Sequence, residues 1–289
     1  MRIALLTLLL LSTAIGAFLH PGRSLAGDLQ FTTSDGVRLH VIEAGPSGAQ
    51  TIVFVPGWTM PAGIFKPQID ALSLRYHVMV LDPRGQGDSE VPASGYDYQR
   101  RGRDVGELIE ALPRRPVLLV GWSLGVLDAL AYVAQSGDGR LAGLVLIDNS
   151  VGEDPPPVAG PHAPVRGPRL ARDETMRRFV ASMFRSGPSQ AYLDWLTGMA
   201  LRTPPEAAAA LSNYAVPRTY WKQALLSVRR PVLYVVRPRF AAQAANLALH
   251  DPLAETAVFE AAGHALFVDE AGRFNALVES FIRRRIWPS

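Results

Sequence analysis

Pro116-Val117-Leu118-Leu119-Val120-Gly121-Trp122-Ser123-Leu124-Gly125-Val126 is the stretch that decides how this chain is read. An apolar, strand-like run ends at Gly121, and residues 124–134 continue as an apolar segment of helical character. Ser123 therefore occupies a sharp turn between a strand and a helix, where its hydroxyl stands clear of the backbone. A serine hydroxyl is a weak nucleophile at its free pKa, so the turn carries chemistry only if the chain also supplies a base and a site for negative charge. Gly-x-Ser-x-Gly alone arises by chance in roughly one chain in ten of this length. Its surroundings decide what it means.

Working outward, residues 29–32 and 37–43 read as two antiparallel strands joined by a tight turn at Ser34-Asp35-Gly36. Short Val/Leu/Ile runs follow at 51–55, 77–81, 116–120, 141–147, 231–236 and 256–260. Unbroken runs of this kind suit strands covered on both faces, so the sheet is expected to be mostly parallel with helices on each side. Those helices are expected at 64–74, 98–111, 124–134, 241–249 and 268–286. The rhythm breaks between 151 and 228. There a Pro/Gly-rich stretch, from Asp154-Pro155-Pro156-Pro157 through Pro168, leads into helical segments near 173–184, 190–201, 205–212 and 221–227. Four helices inserted between two core strands read as a lid over the strand ends, which divides the core into residues 27–150 and 229–289 around a lid at 151–228.

The first residues have a different character. Arg2, an apolar segment over 3–19 and then Ser24-Leu25-Ala26 match a secretory signal peptide cleaved after Ala26. An uncleaved N-terminal anchor is the alternative, because the apolar segment is almost long enough to span a bilayer. Cleavage predicts a periplasmic or secreted protein without a membrane attachment. Removing residues 1–26 takes away Arg2 and Arg23 and no acid, lowering the net charge from +3 to +1. That balance gives no reason to expect a nucleic-acid partner. The chain has no cysteine, so it uses neither disulfides nor thiolate metal sites, and no ligand cluster with metal spacing is visible. Its 48% hydrophobic content against 19% charged residues is enough for a sizeable core.

With Ser123 in place, three further motifs occur in order: Val55-Pro56-Gly57-Trp58-Thr59-Met60-Pro61, Leu81-Asp82-Pro83-Arg84-Gly85-Gln86-Gly87-Asp88-Ser89, and Ala262-Gly263-His264-Ala265-Leu266-Phe267. Together they resemble the α/β-hydrolase superfamily, over residues 29–285. The resemblance implies an α/β-hydrolase fold in which Ser123 is the nucleophile and His264 the general base. It also implies that the backbone N–H groups of Trp58 and Leu124 hold the oxyanion. The family usually has His before the loop glycine, whereas this chain has Pro56. Asp82 and the Arg84–Gly87 residues are read as organising a turn. His40, His77, His162 and His250 are read as structural or solvated. Trp58 and Trp122 are expected to flank the oxyanion site and narrow its mouth, and the aromatic and Met residues of the lid to supply an apolar pocket beyond those that pack it.

One element of the family pattern is missing. The carboxylate that orients the histidine usually follows the strand at 231–236, but Arg237-Pro238-Arg239-Phe240-Ala241-Ala242-Gln243 contains no acid. Some α/β-hydrolases, notably one branch of the haloalkane dehalogenases, place it one strand earlier, which here is Asp148. Those dehalogenases carry an Asp nucleophile, so the comparison stops at the acid's position. Glu153, Asp154 or no acid at all are the alternatives. Two functions follow. One is a serine carboxylesterase for small to medium apolar esters, with no cofactor or metal and a possible perhydrolase side activity of the kind shown by the similar non-haem chloroperoxidases. The other is a catalytically weak or non-catalytic ligand-binding protein of the same fold.

Overall fold

The computed structural model describes residues 26–156 and 170–288. The leader expected at 1–26, except Ala26, lies outside them, as do His162 and residues 157–168 of the Pro-rich stretch.

Eight strands form one sheet: β1 (Gly27–Thr32), β2 (Arg38–Ala44), β3 (Thr51–Val55), β4 (His77–Leu81), β5 (Val117–Trp122), β6 (Leu141–Ile147), β7 (Val232–Val236) and β8 (Ala254–Val258). Their order is β1-β2-β4-β3-β5-β6-β7-β8. The β1–β2 and β2–β4 pairings are antiparallel and all others parallel. Strands β3, β4, β5 and β7 are buried along their whole length, which is why they read as unbroken apolar runs. The period of two survives in the packing. Val53, Val55 and Leu119 face one core, while Ile52, Phe54, Leu118 and Val120 face the other.

The helices are α1 (Lys66–Leu72), α2 (Tyr98–Ala111), α3 (Leu124–Ser136), α4 (Arg172–Ser182), α5 (Gln190–Leu201), α6 (Pro205–Leu211), α7 (Arg218–Ser227), α8 (Ala241–His250), α9 (Leu266–Asp269) and α10 (Ala271–Phe281). Residues of α2, α3, α6, α7 and α8 build the first core, and those of α1, α4, α5, α9 and α10 the second. The segment between β6 and β7 is thus not one cap. Helix α7 packs beside α3 as part of a core layer, through Trp221, Ala224 and Leu225, while α4 reaches over the carboxyl ends of the strands. The expected closing helix at 268–286 is α9, α10 and a final π turn at Ile282–Ile286.

Helix α3 is apolar around most of its circumference because it is central, so its one acid needs a partner. Asp128 accepts from Arg101 Nε of α2 at 2.7 Å, and both side chains are buried. At the other side of the sheet, His40 of β2 lies between two carboxylates, with Nδ1 2.8 Å from Asp82 and Nε2 3.0 Å from Asp28. The Asp82 hydrogen bond leads in pushing the imidazole up to about 9, against the opposing effect of burial. A histidine raised in this way stabilises the fold fully below its unfolded pKa of 6.5, and the contribution is lost as pH rises through about 9. Urea unfolding should therefore show wild type losing about 2 kcal/mol relative to His40→Gln between about pH 6 and about pH 10, a figure discounted for the exposed Asp28. Parallel stability curves for the two proteins would show that His40 carries no such charge.

Candidate active site

The turn at Ser123 has the geometry its sequence suggests, and the physical reason is crowding. A Cβ at Gly121 would lie 2.3 Å from the Gly125 carbonyl oxygen, and one at Gly125 would lie 2.2 Å from that of Val55. Only glycines let β5, α3 and β3 approach this closely. Ser123 itself has φ 53° and ψ −117°. Among the described residues the non-glycine positions with positive φ are Thr59, Ser123 and Asp148, at the carboxyl ends of β3, β5 and β6. Backbone strain is thus gathered at one edge of the sheet, where functional groups concentrate.

That edge brings the expected base and acid to the serine. The Ser123 hydroxyl is 2.9 Å from His264 Nε2, and His264 Nδ1 is 2.6 Å from Asp148 Oδ2. Asp148 reaches this position through strand register. Trp122 pairs with Ile147, so the residues that follow each, Ser123 and Asp148, leave adjacent strands side by side. Glu153 instead pairs with Lys222 at 3.5 Å and accepts from Asn246, while the exposed Asp154 meets Lys222 at 3.2 Å. The loop that lacks the usual acid serves Asp148 from the other side. Arg237 N–H donates to Asp148 Oδ1 at 2.9 Å and Arg237 Nε to Oδ2 at 2.5 Å. Burial pushes the Asp148 carboxyl up, but the hydrogen bond and charge of His264 and the charge of Arg237 outweigh it and hold the group below the usual carboxylate range. With Nδ1–H donating to Asp148, Nε2 is the nitrogen left to accept the serine proton. Arg237 Nη2, 3.3 Å from Nδ1, then makes an electrostatic contact with the ring and not a hydrogen bond. Sequence reasoning missed Arg237, because its role depends on a partner 89 positions away.

For the oxyanion, Leu124 is the first residue of α3, and its N–H is among those a helix leaves without an internal partner. Trp58 belongs to the loop after β3, whose conformation is held by the Leu81–Ser89 motif. Gln86, fully buried, accepts from Thr59 N–H, and Asp82 Oδ1 accepts from Ala62 N–H at 2.5 Å. The motif read as a turn organiser therefore also braces the neighbouring loop, in a chain whose Pro56 replaces the family histidine. Gln86→Ala leaves Thr59 N–H without this acceptor and loosens the segment carrying Trp58. It should lower kcat about 10- to 100-fold, less than outright loss of an oxyanion donor, with KM nearly constant. A loss confined to KM in steady-state kinetics would contradict that role.

A cavity of about 330 Å³ opens on Ser123 and His264. Phe179 and Met183 of the α4 region and Phe240 line it, but so do Asn149, Ser182, Arg237 and Arg239, so the lining is not the apolar one expected. Trp122 does not narrow the mouth. It is buried, donates from Nε1 to the His264 carbonyl at 2.9 Å, and lies with its ring 5.1 Å from the imidazole, bracing His264. Trp58 instead ties its loop to the inserted helices, donating to Ala208 O at 2.7 Å and meeting Phe179 edge-on. Asp269 makes a second tie, accepting from Gly263 N–H at 2.6 Å and from Arg185 N–H at 2.8 Å.

The structure also gathers His40, Asp82 and Asp88, a potential ligand cluster that the sequence spacing did not suggest. Its groups already serve one another. Both ring nitrogens of His40 face carboxylates, an arrangement that favours the imidazolium over a metal-binding lone pair, and Asp82 accepts from the Ala62 and Asp88 N–H groups.

Fold and site define a protein of the α/β-hydrolase class. Residues 52–277 match the alpha/beta hydrolase family, and the chain belongs to it. Among its relatives, a non-heme chloroperoxidase of Streptomyces lividans is 37% identical over 117 residues, which is 40% of this chain and 42% of the relative. The chain thus spans less than half the length of that relative in the aligned stretch. The pimeloyl-[acyl-carrier protein] methyl ester esterase of Xanthomonas oryzae pv. oryzae is 28% identical over 85% of this chain and 98% of its own length. Among solved structures, a putative aryl esterase from Burkholderia cenocepacia superposes with a TM-score of 0.76 at 27% identity, covering 89% of this chain and 98% of that one. The chain is accordingly a member of the α/β-hydrolase family, similar to haloperoxidases and esterases.

Proposed function

We propose that this hydrolase is a serine carboxylesterase acting through an acyl-enzyme, with Ser123, His264 and Asp148 as its triad. The observation that carries the reading is the continuous chain from Ser123 Oγ through the imidazole to the buried Asp148 carboxylate. Ser123 Oγ attacks the ester carbonyl as His264 Nε2 takes its proton, and Asp148 stabilises the imidazolium that forms. The Trp58 and Leu124 N–H groups receive the charge on the former carbonyl oxygen. His264 returns the proton to the departing alkoxide, and water, activated by the same base, releases the acid. The esterases among its relatives support the ester as substrate class. The non-catalytic alternative is motivated by the missing acid in the loop after β7, and the contact of Asp148 with His264 weighs against it.

A fluorophosphonate probe tests the activated serine. The protein should form one adduct, on Ser123, absent from Ser123→Ala, and no adduct would refute the esterase reading. Adding hydrogen peroxide and acetate to the same preparation measures perhydrolysis. Export to the periplasm or medium is supported by the leader pattern at residues 1–26, and N-terminal sequencing of protein from the periplasmic fraction, expected to begin at Gly27, tests it.

A further inference from the structure

The charge of the cavity is unbalanced. Two guanidinium groups, Arg237 and Arg239, line it together with Ser123 and His264, and among the described residues the one acid in its lining is Asp148. That carboxylate is already committed, accepting from Arg237 Nε and N–H on one side and facing His264 on the other. Its side chain has no exposed surface, so it cannot offer a counter-charge to the open volume. Arg239 is not compensated. Among the described residues it has no hydrogen bond or ion pair, and its guanidinium is held 4.8 Å over the Phe240 ring at the cavity wall. Many of the protein's other arginines, by contrast, meet a carboxylate, as Arg84, Arg100, Arg101, Arg140, Arg273 and Arg284 do.

An arginine stacked on an aromatic ring keeps its planar donor fork oriented, with less side-chain freedom left to lose when an anion arrives. The outer nitrogens of Arg237 line the same space, as do Asn149 and Ser182, whose amide and hydroxyl already donate to Ser123 O at 2.8 Å and Phe179 O at 2.7 Å. A neutral apolar ester would displace water from the two guanidinium groups without supplying acceptors, which disfavours it relative to a substrate that does. Neither Trp58 nor Leu124 lines this cavity, so it lies to the side of the expected oxyanion site and is open to the substituents of the ester.

We propose that the substrate is an ester bearing a carboxylate, and that Arg239, at the wall of the Ser123 cavity, is the residue that selects it. The proposal rests on the esterase reading and adds the substrate's charge. Two matched pairs of chromogenic esters test it: mono-4-nitrophenyl glutarate against 4-nitrophenyl pentanoate for a carboxylate on the acyl half, and 4-acetoxybenzoate against 4-acetoxybenzamide for one on the alcohol half. In one pair the anionic member should have the higher kcat/KM, by about tenfold at low salt, a size fitting one charge-assisted bidentate contact. The preference should fall towards unity in Arg239→Gln, survive only in part in Arg239→Lys, which keeps the charge but not the planar fork, and weaken as salt is raised. A neutral preference in both pairs, or a ratio unmoved by Arg239→Gln, would overturn it.

Binding provides a readout that does not depend on turnover. Calorimetry on Ser123→Ala should show monoethyl glutarate or 4-acetoxybenzoate binding at least about fivefold more tightly than to the Ser123→Ala/Arg239→Gln double variant. Equal affinities for both would overturn the proposal. The fluorophosphonate adduct on Ser123 judges the esterase reading separately, so an activated serine with no charge preference would sink this inference alone.

Discussion

Asp148→Asn is expected to lower kcat by about 10³- to 10⁴-fold while leaving the protein folded. The isosteric amide fits the same space, so the loss comes from tautomer chemistry. The amide NH₂ introduced by the substitution can donate to His264 Nδ1, which puts the ring proton on Nε2, the nitrogen that must accept from Ser123 at 2.9 Å. The imidazolium formed during attack also loses the charge that stabilises it. Arg237 loses its ion pair too, but its side chain is one-quarter exposed and water can solvate it. Turnover of 4-nitrophenyl acetate measured beside thermal unfolding separates the two effects. Asp154→Asn, at an exposed residue paired with Lys222, is the control and should stay within about twofold of wild type. A loss in Asp148→Asn smaller than about tenfold would mean that Asp148 is not the triad acid.

The largest expected effect on stability lies away from the site, at the contact between α2 and α3. Arg101→Met should destabilise the fold by about 3–5 kcal/mol, because it strands Asp128 as a buried carboxylate without its partner. Arg101 also donates to Tyr96 O at 2.5 Å and Leu211 O at 3.4 Å, so those acceptors are stranded with it. The pH dependence identifies the cause. Burial already pushes the Asp128 carboxyl above its ordinary value, with the Arg101 charge opposing the rise. Removing the arginine raises it further. A carboxyl raised in the folded state stabilises the protein at low pH and loses that contribution as pH climbs above the unfolded value of 3.8. The gap between variant and wild type in urea unfolding should therefore narrow from about pH 7 to about pH 5. A gap independent of pH would assign the loss to packing. Arg101→Met/Asp128→Leu should recover most of the stability, since replacing both members of a buried pair is often near neutral.

These two positions show what kind of information a sequence holds. Helix α2 is legible to the residue at 98–111, because Asp97 caps it by accepting from Arg100 N–H and its apolar face recurs with helical period. That Arg101 turns inward to Asp128 and Arg100 to Asp104, while Arg103 faces solvent, is not legible, since nothing local distinguishes one arginine from the next. Strands β3, β4 and β6 read with their observed bounds for a similar reason, as doubly buried strands announce themselves by composition alone. The edge strand β8 reads two residues late, at 256–260 against Ala254–Val258, because its half-exposed sequence Ala-Glu-Thr-Ala-Val carries less contrast. Gln86 and Trp122 both stand out in the sequence but yield incomplete roles there. Gln86 reads as part of a turn yet reaches into the next loop, and Trp122 reads as part of the mouth yet braces the histidine.

The turn at Ser123 was determined by local chemistry. Glycines at 121 and 125, an apolar run before and a helix after leave the chain one way to pass between β3 and α3, and that is why its sequence can be read directly. The order of strands and the place of His264 near the end of the chain are legible on the same terms. Which acid meets that histidine is not. Asp148, Glu153 and Asp154 lie within seven residues of one another, and only the parallel register of β5, β6 and β7 turns the first towards His264 and Arg237 while the other two face Lys222. The charge of the cavity was decided in the same way. Arg237 and Arg239 stand in the sequence as a loop without its acid, and tertiary structure made one the brace of Asp148 and left the other facing the serine's cavity, because long-range partners and not local preference set where a side chain's charge is spent.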